Sequence, residues 1–352
     1  MQISISNVFL ILVLLLNGCG GGGGGSSSSS ATTTTSSIFT TGKTMAYLRH
    51  LLFDGSYMYV VDSESLNTLN SYGHLRQFGA TSGSFVTTYE NAATNFEDIY
   101  SVTKFNGDLL VTANYVVSGG TVMQGVLKIS AASGIYTYSN PYPSSNSLYG
   151  LATDTNYLYI ADQSAAAVIV CSTGYSCSSI TNTWVKPTGL AYDGSSYIYV
   201  TDYSPTTTKG LYKINTTSHA VTSVSSSLFN HPNGVAVYTS TGEVYVVNTG
   251  TGDTDSSILK ISSDGATIST FLDGSSTSSM LCKPVGAAIS GSYLYISNGT
   301  CSANSAYANV VIKVNLWLLK IQPQLPLHYL PIRIPRQWRI QPSDSLRHLV
   351  VC

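Results

Sequence analysis

Tyr157-Leu158-Tyr159-Ile160-Ala161-Asp162 returns as Tyr197-Ile198-Tyr199-Val200-Thr201-Asp202, and again as Tyr293-Leu294-Tyr295-Ile296-Ser297-Asn298. Tyr57–Asp62 and Glu243–Asn248 are looser copies, and Asp108–Ala113 is a degraded sixth without the closing Asp. The second aromatic position falls at Tyr59, Leu110, Tyr159, Tyr199, Tyr245 and Tyr295, so the phrase recurs every 40–51 residues. Each copy alternates with period 2 between segments rich in Gly, Ser, Asn and Asp, which marks a strand bounded by turns. Self-similarity at this spacing implies one supersecondary unit stacked several times, because a single unit cannot cover its own apolar face.

A second phrase precedes the better copies: Pro187-Thr188-Gly189-Leu190-Ala191-Tyr192, Pro232-Asn233-Gly234-Val235-Ala236-Val237 and Pro284-Val285-Gly286-Ala287-Ala288-Ile289, with Leu148–Asp154 repeating it without the Pro. A third follows: Leu127-Lys128-Ile129, Leu211-Tyr212-Lys213-Ile214, Ile258-Leu259-Lys260-Ile261 and Val311-Ile312-Lys313-Val314. The order Pro-x-Gly, Tyr-x-Tyr-Val-x-Asp, Ile-x-Lys-Ile resembles the NHL repeat over about residues 38–316. That resemblance implies an all-β, six-bladed β-propeller with four strands per blade. Fourth strands are expected at Phe85–Tyr89, Ile135–Tyr138, Ala220–Val224 and Thr267–Phe271. The sixth blade lacks one after Val314, and Ser37-Ile38-Phe39-Thr40-Thr41 has the same style, so it is expected to supply the missing strand and close the ring.

The N-terminus reads as an address. Val8–Leu16 is an apolar run too short to span a bilayer, ending in Leu16-Asn17-Gly18-Cys19. Those four residues resemble the lipobox of bacterial lipoproteins, although Met1–Asn7 carries no Lys or Arg. The resemblance implies a signal peptide over 1–18, lipidation of Cys19, and export to the cell envelope. An ordinary secretory signal is the alternative. Gly20, rather than Asp, follows the Cys, which under the lipoprotein sorting rule favours the outer membrane. Residues 19–36 are nearly all Gly, Ser and Thr and cannot bury apolar area, so they form a tether reaching roughly 20–25 Å. The propeller is assigned to 37–316. From 317 to 352 there is no Gly or Thr, and this stretch holds five of the 11 Pro. The repeat grammar stops at the same place, so this tail is expected to be aberrant and disordered, the product of a frameshift near Leu316. A Gly/Ser/Thr-rich continuation in another reading frame would establish that.

Only 9% of residues are charged and the net charge is −1, so no basic field exists to attract nucleic acid. Six Cys divide into the lipid site, the pairs Cys171/Cys177 and Cys282/Cys301, and Cys352 in the tail. An exported protein can oxidise both pairs, or they remain buried thiols. The six His show no zinc-site spacing, and the folded region has no nucleophile elbow, phosphate loop or dinucleotide fingerprint. Strand ends and loops on one face gather the candidate binding residues Asp62, Asp162, Asp202, His231, Asn248 and Asn298. A recurring Asp or Asn is also a turn-former that hydrogen-bonds the following backbone. Asp253-Thr254-Asp255 offers hard oxygen ligands for Ca²⁺ without the spacing of a dedicated calcium loop. No other metal, cofactor or catalytic residue is assigned. Three functions fit a monomer of this kind: a membrane-tethered binding module for a protein or carbohydrate ligand, a metal-dependent hydrolase or lyase resembling the gluconolactonase or virginiamycin-B lyase propellers, and a surface polysaccharide-binding or adhesion protein.

Overall fold

A computed structural model describes residues 36–63, 73–89, 96–116, 122–129, 136–137, 147–204, 209–275, 279–302 and 305–316. The signal segment, Cys19, the tether up to residue 35 and the tail from 317 onward lie outside the described residues. β1 (Ser36–Ile38) comes first in the chain but belongs to the last blade. Blade one is β2 (Leu48–Asp54), β3 (Tyr57–Asp62), β4 (His74–Gly79) and β5 (Phe85–Tyr89); blade two is β6 (Phe96–Phe105), β7 (Asp108–Val116), β8 (Val122–Ile129) and β9 (Tyr136–Thr137). Blade three is β10 (Leu148–Thr153), β11 (Tyr157–Asp162), β12 (Ala167–Ser172) and β13 (Cys177–Thr181); blade four is β14 (Pro187–Tyr192), β15 (Tyr197–Asp202), β16 (Lys209–Asn215) and β17 (Val221–Ser225). Blade five is β18 (Pro232–Tyr238), β19 (Glu243–Asn248), β20 (Ser257–Ile261) and β21 (Ile268–Asp273). Blade six is β22 (Pro284–Ser290), β23 (Tyr293–Asn298), β24 (Val311–Asn315) and β1. The protein is therefore a six-bladed β-propeller of four-stranded antiparallel sheets.

The expected closure is present. β1 pairs antiparallel with β24 in the register Ser36↔Val314, Ser37↔Lys313 and Ile38↔Ile312. The chain then crosses to blade one: Phe39 N donates to Val311 O at 2.7 Å, Thr41 N to Gly83 O at 3.0 Å, and Phe85 N to Thr41 O at 3.1 Å. The fourth strands of blades four and five run Val221–Ser225 and Ile268–Asp273, a residue or two from the expected bounds. The sequence assigns no fourth-strand range to blade three, because Cys-Ser-Ser-Ile-Thr carries little apolar signal; β13 takes its strand character from pairing with β12.

The core consists of six apolar clusters, each straddling two neighbouring blades. The recurring phrase explains this arrangement, since period-2 alternation sends successive side chains to opposite sheet faces. In β11, Tyr159 and Ala161 join the cluster shared with blade four, while Leu158 and Ile160 join the one shared with blade two. Both faces are buried, so the strand reads as nearly continuous apolar sequence. The second aromatic position always faces the following blade, including Leu110 in blade two. Tyrosine suits it because the ring fills the gap while the hydroxyl reaches a polar partner at the rim, as Tyr159 does by donating to Asp154 Oδ2 at 3.0 Å.

The repeated Lys has an equally local role. Lys213 Nζ lies 3.7 Å from the ring centroid of Tyr197 and Lys313 Nζ 3.9 Å from that of Tyr293. Where an acid replaces the first Tyr of the phrase, the Lys forms an ion pair instead: Lys128 with Asp108 at 2.6 Å and Lys260 with Glu243 at 2.8 Å. Cation–π contact and ion pairing thus exchange at one repeat position.

Candidate functional site

The first strands of the blades, β2, β6, β10, β14, β18 and β22, stand side by side around a central channel. The Gly of the Pro-x-Gly phrase sets how closely they approach. A Cβ on Gly150 would lie 2.2 Å from Thr188 O, one on Gly189 2.2 Å from Asn233 O, one on Gly234 2.6 Å from Val285 O, and one on Gly286 2.3 Å from Arg49 O. Glycine is required there by backbone proximity. The equivalent positions in blades one and two are His50 and Ser101, and together these six residues line a waist of about 30 Å³, room for a water or two. Hydroxyls from second strands bind the blades together at this level: Thr112 Oγ1 donates to Tyr149 O at 2.6 Å, Thr201 Oγ1 to Asn233 O at 2.5 Å, and Ser297 Oγ to Arg49 O.

Above the waist the channel widens into a cup of about 280 Å³ on the face where the first strands begin. Its wall carries three cations, Arg49, Lys186 and Lys283, and three tyrosines, Tyr47, Tyr149 and Tyr203. Gln163, Thr188, Asn233, Thr249, Thr300 and Val285 complete the described lining, which contains no Asp or Glu. Arg49 is held between the rings of Tyr47 and Tyr100, at 5.1 and 4.6 Å, with Nη2 3.3 Å from Asp98 Oδ2. Asp98 is almost completely buried behind it, and that burial raises its carboxyl pKa against the pull of Arg49. Burial likewise raises Tyr100, Tyr149 and Tyr203, so all three stay protonated donors at neutral pH. Lys283 Nζ meets Asp253 Oδ1 at 2.9 Å. Lys186 is exposed and has no carboxylate within ion-pair distance among the described residues.

Three buried atoms near this floor have no hydrogen-bond partner among the described residues: Arg49 Nε, His50 Nδ1 and Asp98 Oδ1. Desolvation dominates at His50 and lowers its pKa to about 4, against a hydrogen bond to the backbone of Val102. The imidazole is neutral at physiological pH.

The recurring acids and amides lie beside this cup and serve the backbone. Asp62 Oδ1 accepts from Ala46 N and Tyr47 N, both at 3.0 Å, while its Oδ2 meets Arg76 Nε at 2.6 Å. Asp202 accepts from Val185 N at 2.8 Å and Lys186 N at 2.7 Å. Asn248 accepts from Asn230 N and donates to Leu228 O; Asn298 accepts from Cys282 N and donates to Met280 O and Tyr307 O. All are fully buried. Most of these partners belong to the loop preceding the blade rather than to the following backbone, because the second strand ends beside the start of the first. Asp162 does bond forward, to Ser164 and Ala165.

His231, in a left-handed conformation at φ 52°, hydrogen-bonds Asn230 and packs edge-on against Tyr203 at 4.9 Å, so it backs the cup wall. Asp253 accepts from Ser302 N and Oγ besides pairing with Lys283, and these bonds hold its carboxyl below the usual range. Asp255 turns into its own loop, accepting from Thr251 and Gly252; burial works against ionisation there, but these bonds outweigh it and lower the pKa. The two carboxylates are committed separately and do not form a Ca²⁺ donor set. No group of three or more His, Cys, Asp or Glu is placed to hold a metal ion among the described residues. Cys171–Cys177 and Cys282–Cys301 are joined as disulfides, and the half-cystines of the second are the sequence neighbours of the cup residues Lys283 and Thr300.

Sequence reasoning missed the cup's own residues. Lys186 and Lys283 directly precede the repeat's Pro, while Gln163, Tyr203 and Thr249 directly follow its Asp or Asn. The available signal was variation: these positions flank the recurring Pro and Asp or Asn, and the residue after the Asp or Asn changes from Gln163 to Tyr203 to Thr249.

No protein-family model matches the chain, and no curated protein matches its sequence. Solved structures do match in fold. Virginiamycin B lyase from Staphylococcus aureus, as its catalytically inactive form with quinupristin, is 11% identical at a TM-score of 0.53, covering 80% of this chain and 99% of that one. The calcium-binding protein regucalcin from Agrobacterium tumefaciens is 11% identical at a TM-score of 0.55, covering 77% and 90%. A chain of the nidogen/laminin complex is 14% identical at 0.52, covering 64% and 82%. At these identities the likeness establishes the propeller architecture alone.

Proposed function

We propose that this chain is a binding module of the bacterial cell envelope, exported and anchored through Cys19 to the outer membrane, that receives its ligand in the cup at the channel mouth. The cup carries this reading: it is concave, has a few convergent polar groups, and is supported by rigid first strands rather than by loops alone. Its charge is that of a receptor for an anionic or hydrogen-bonding ligand. A metal-dependent hydrolase or lyase needs carboxylate or imidazole ligands converging on one point, and the described lining of the cup offers the amides of Gln163 and Asn233 beside the cations Arg49, Lys186 and Lys283, with no carboxylate or imidazole among them.

Two measurements test the proposal. Metabolic labelling with a radioactive fatty acid is expected to mark the full chain in membranes, and Cys19→Ser is expected to release an unlabelled protein. A wild-type chain that stays unlabelled and soluble refutes the anchor. Ligand screening by thermal shift, run beside lactone-hydrolysis assays with and without divalent metal, separates binding from catalysis. Metal-dependent turnover would replace the binding reading with the enzymatic one.

A further inference from the structure

Resting on that binding reading, the chemistry of the cup narrows its occupant. We propose that it holds one carboxylate-bearing sugar unit, the end or side branch of an acidic glycan.

Three observations converge. The first is charge with unused capacity: Lys186 is exposed on the cup wall and has no carboxylate partner among the described residues. A ligand carboxylate supplies that partner through charge-assisted hydrogen bonds. The second is the wall. Tyr149 and Tyr203 offer aromatic surface for the C–H face of a sugar ring, the Asn233 amide has no hydrogen-bond partner among the described residues, and Thr300 Oγ1, exposed at the rim and donating to Ala46 O and Asn309 Oδ1, keeps its capacity to accept. Sugar hydroxyls fit such groups. The third is size and polarity: about 280 Å³ lies just below the roughly 300–1,000 Å³ of drug-sized ligand pockets, and Val285 is the one aliphatic residue of the described lining. A peptide chain would find no apolar niche for its side chains, and an inorganic anion would leave the aromatic wall unused. The broader groove at the rim of blade five, about 400 Å³, is less suited because Glu243 and Lys260 there are spent on each other.

Calorimetric titration of the full chain tests this with methyl glycosides of glucuronate and galacturonate, the matching glucoside and galactoside, inorganic phosphate, and a short peptide with a free C-terminus. At least one uronoside is expected to bind about 10-fold more tightly than its neutral counterpart, with affinity falling as salt is raised. Lys186→Met, at an exposed position where folding is unaffected, is expected to weaken the uronoside about 5–10-fold and the neutral sugar less than about 2-fold. Equal affinity for acidic and neutral sugars overturns the acidic assignment while the binding reading stands. Phosphate or peptide binding as tightly as both uronosides overturns the sugar assignment. Failure of every probe to bind overturns the inference, and the reading beneath it falls if the wider ligand screen is also silent.

Discussion

His50 makes folding stability depend on pH in a way that can be isolated. Its imidazole lines the channel waist beside Arg49, with Nδ1 covered and unpartnered, and desolvation lowers its pKa from 6.5 to about 4. A depressed histidine pKa means that the unfolded chain takes up the proton before the folded chain does. Above pH 6.5 both states are neutral here and the residue contributes nothing to pH dependence. As pH falls from 6.5 toward 4 the unfolded state alone is protonated and stability drops; below about 4 the loss levels off. Stability falls by about 1.4 kcal/mol for each pH unit crossed in that window, which amounts to roughly 3 kcal/mol in all. His50→Ser adopts the residue type that blade two carries at the same place, Ser101, so it removes the titration while keeping the waist open. Urea unfolding followed by circular dichroism from pH 7.5 to 3.5 should show the wild type losing about 3 kcal/mol relative to this variant, with other titrating groups cancelling in the difference. An NMR titration gives an independent reading, with the His50 ring neutral at pH 5. Parallel stability curves, or an imidazole protonated near pH 6.5, would refute the account.

Other perturbations follow from the geometry. Gly189→Ala places a Cβ 2.2 Å from Asn233 O and 2.9 Å from Thr201 Oγ1, so thermal unfolding should show a loss of at least about 2–3 kcal/mol, whereas Gly55→Ala, with nothing nearby but a φ of 58°, should cost closer to 1. Asp202→Ala removes Oδ2 as the acceptor for Val185 N and Oδ1 as the acceptor for Lys186 N and should cost about 2–4 kcal/mol in thermal unfolding; a loss below about 1 kcal/mol would contradict this. Replacing Cys282 and Cys301 by Ser opens a 19-residue separation and should cost about 3 kcal/mol, while the six-residue Cys171–Cys177 link should matter less; equal midpoints for both double variants would contradict this. Deleting the segment before Thr40 removes β1, exposes the edge of β24, and should produce concentration-dependent association in sedimentation, which a chain lacking only residues 1–35 should not show.

The architecture was legible because each blade repeats the same burial problem. Tyr159 and Leu158 face opposite neighbours, so the phrase that carries them must be apolar on both sides and must return wherever a blade returns. The closing strand was legible for the same reason, as a fourth-strand sequence displaced to the start of the chain. What blurred were strands with weak patterns of their own, such as β13, whose place is set by pairing with β12.

The site divides along another line. Repetition selected Asp62, Asp162, Asp202, Asn248 and Asn298 as candidates, and these are the residues that tie down the loops of five of the six blades. The cup is built one position away, from Lys186, Lys283, Gln163 and Tyr203, where the repeat leaves the residue free to vary. Sequence alone determined the blade, its period, the number of blades and the strand that closes the ring, since burial and alternation are local properties of each strand. Only the tertiary structure decided that Arg49 and Lys283, far apart in the chain, share one concave wall above a waist narrowed by four glycines. Convergence at a channel mouth is a property of the closed ring, and no single repeat contains it.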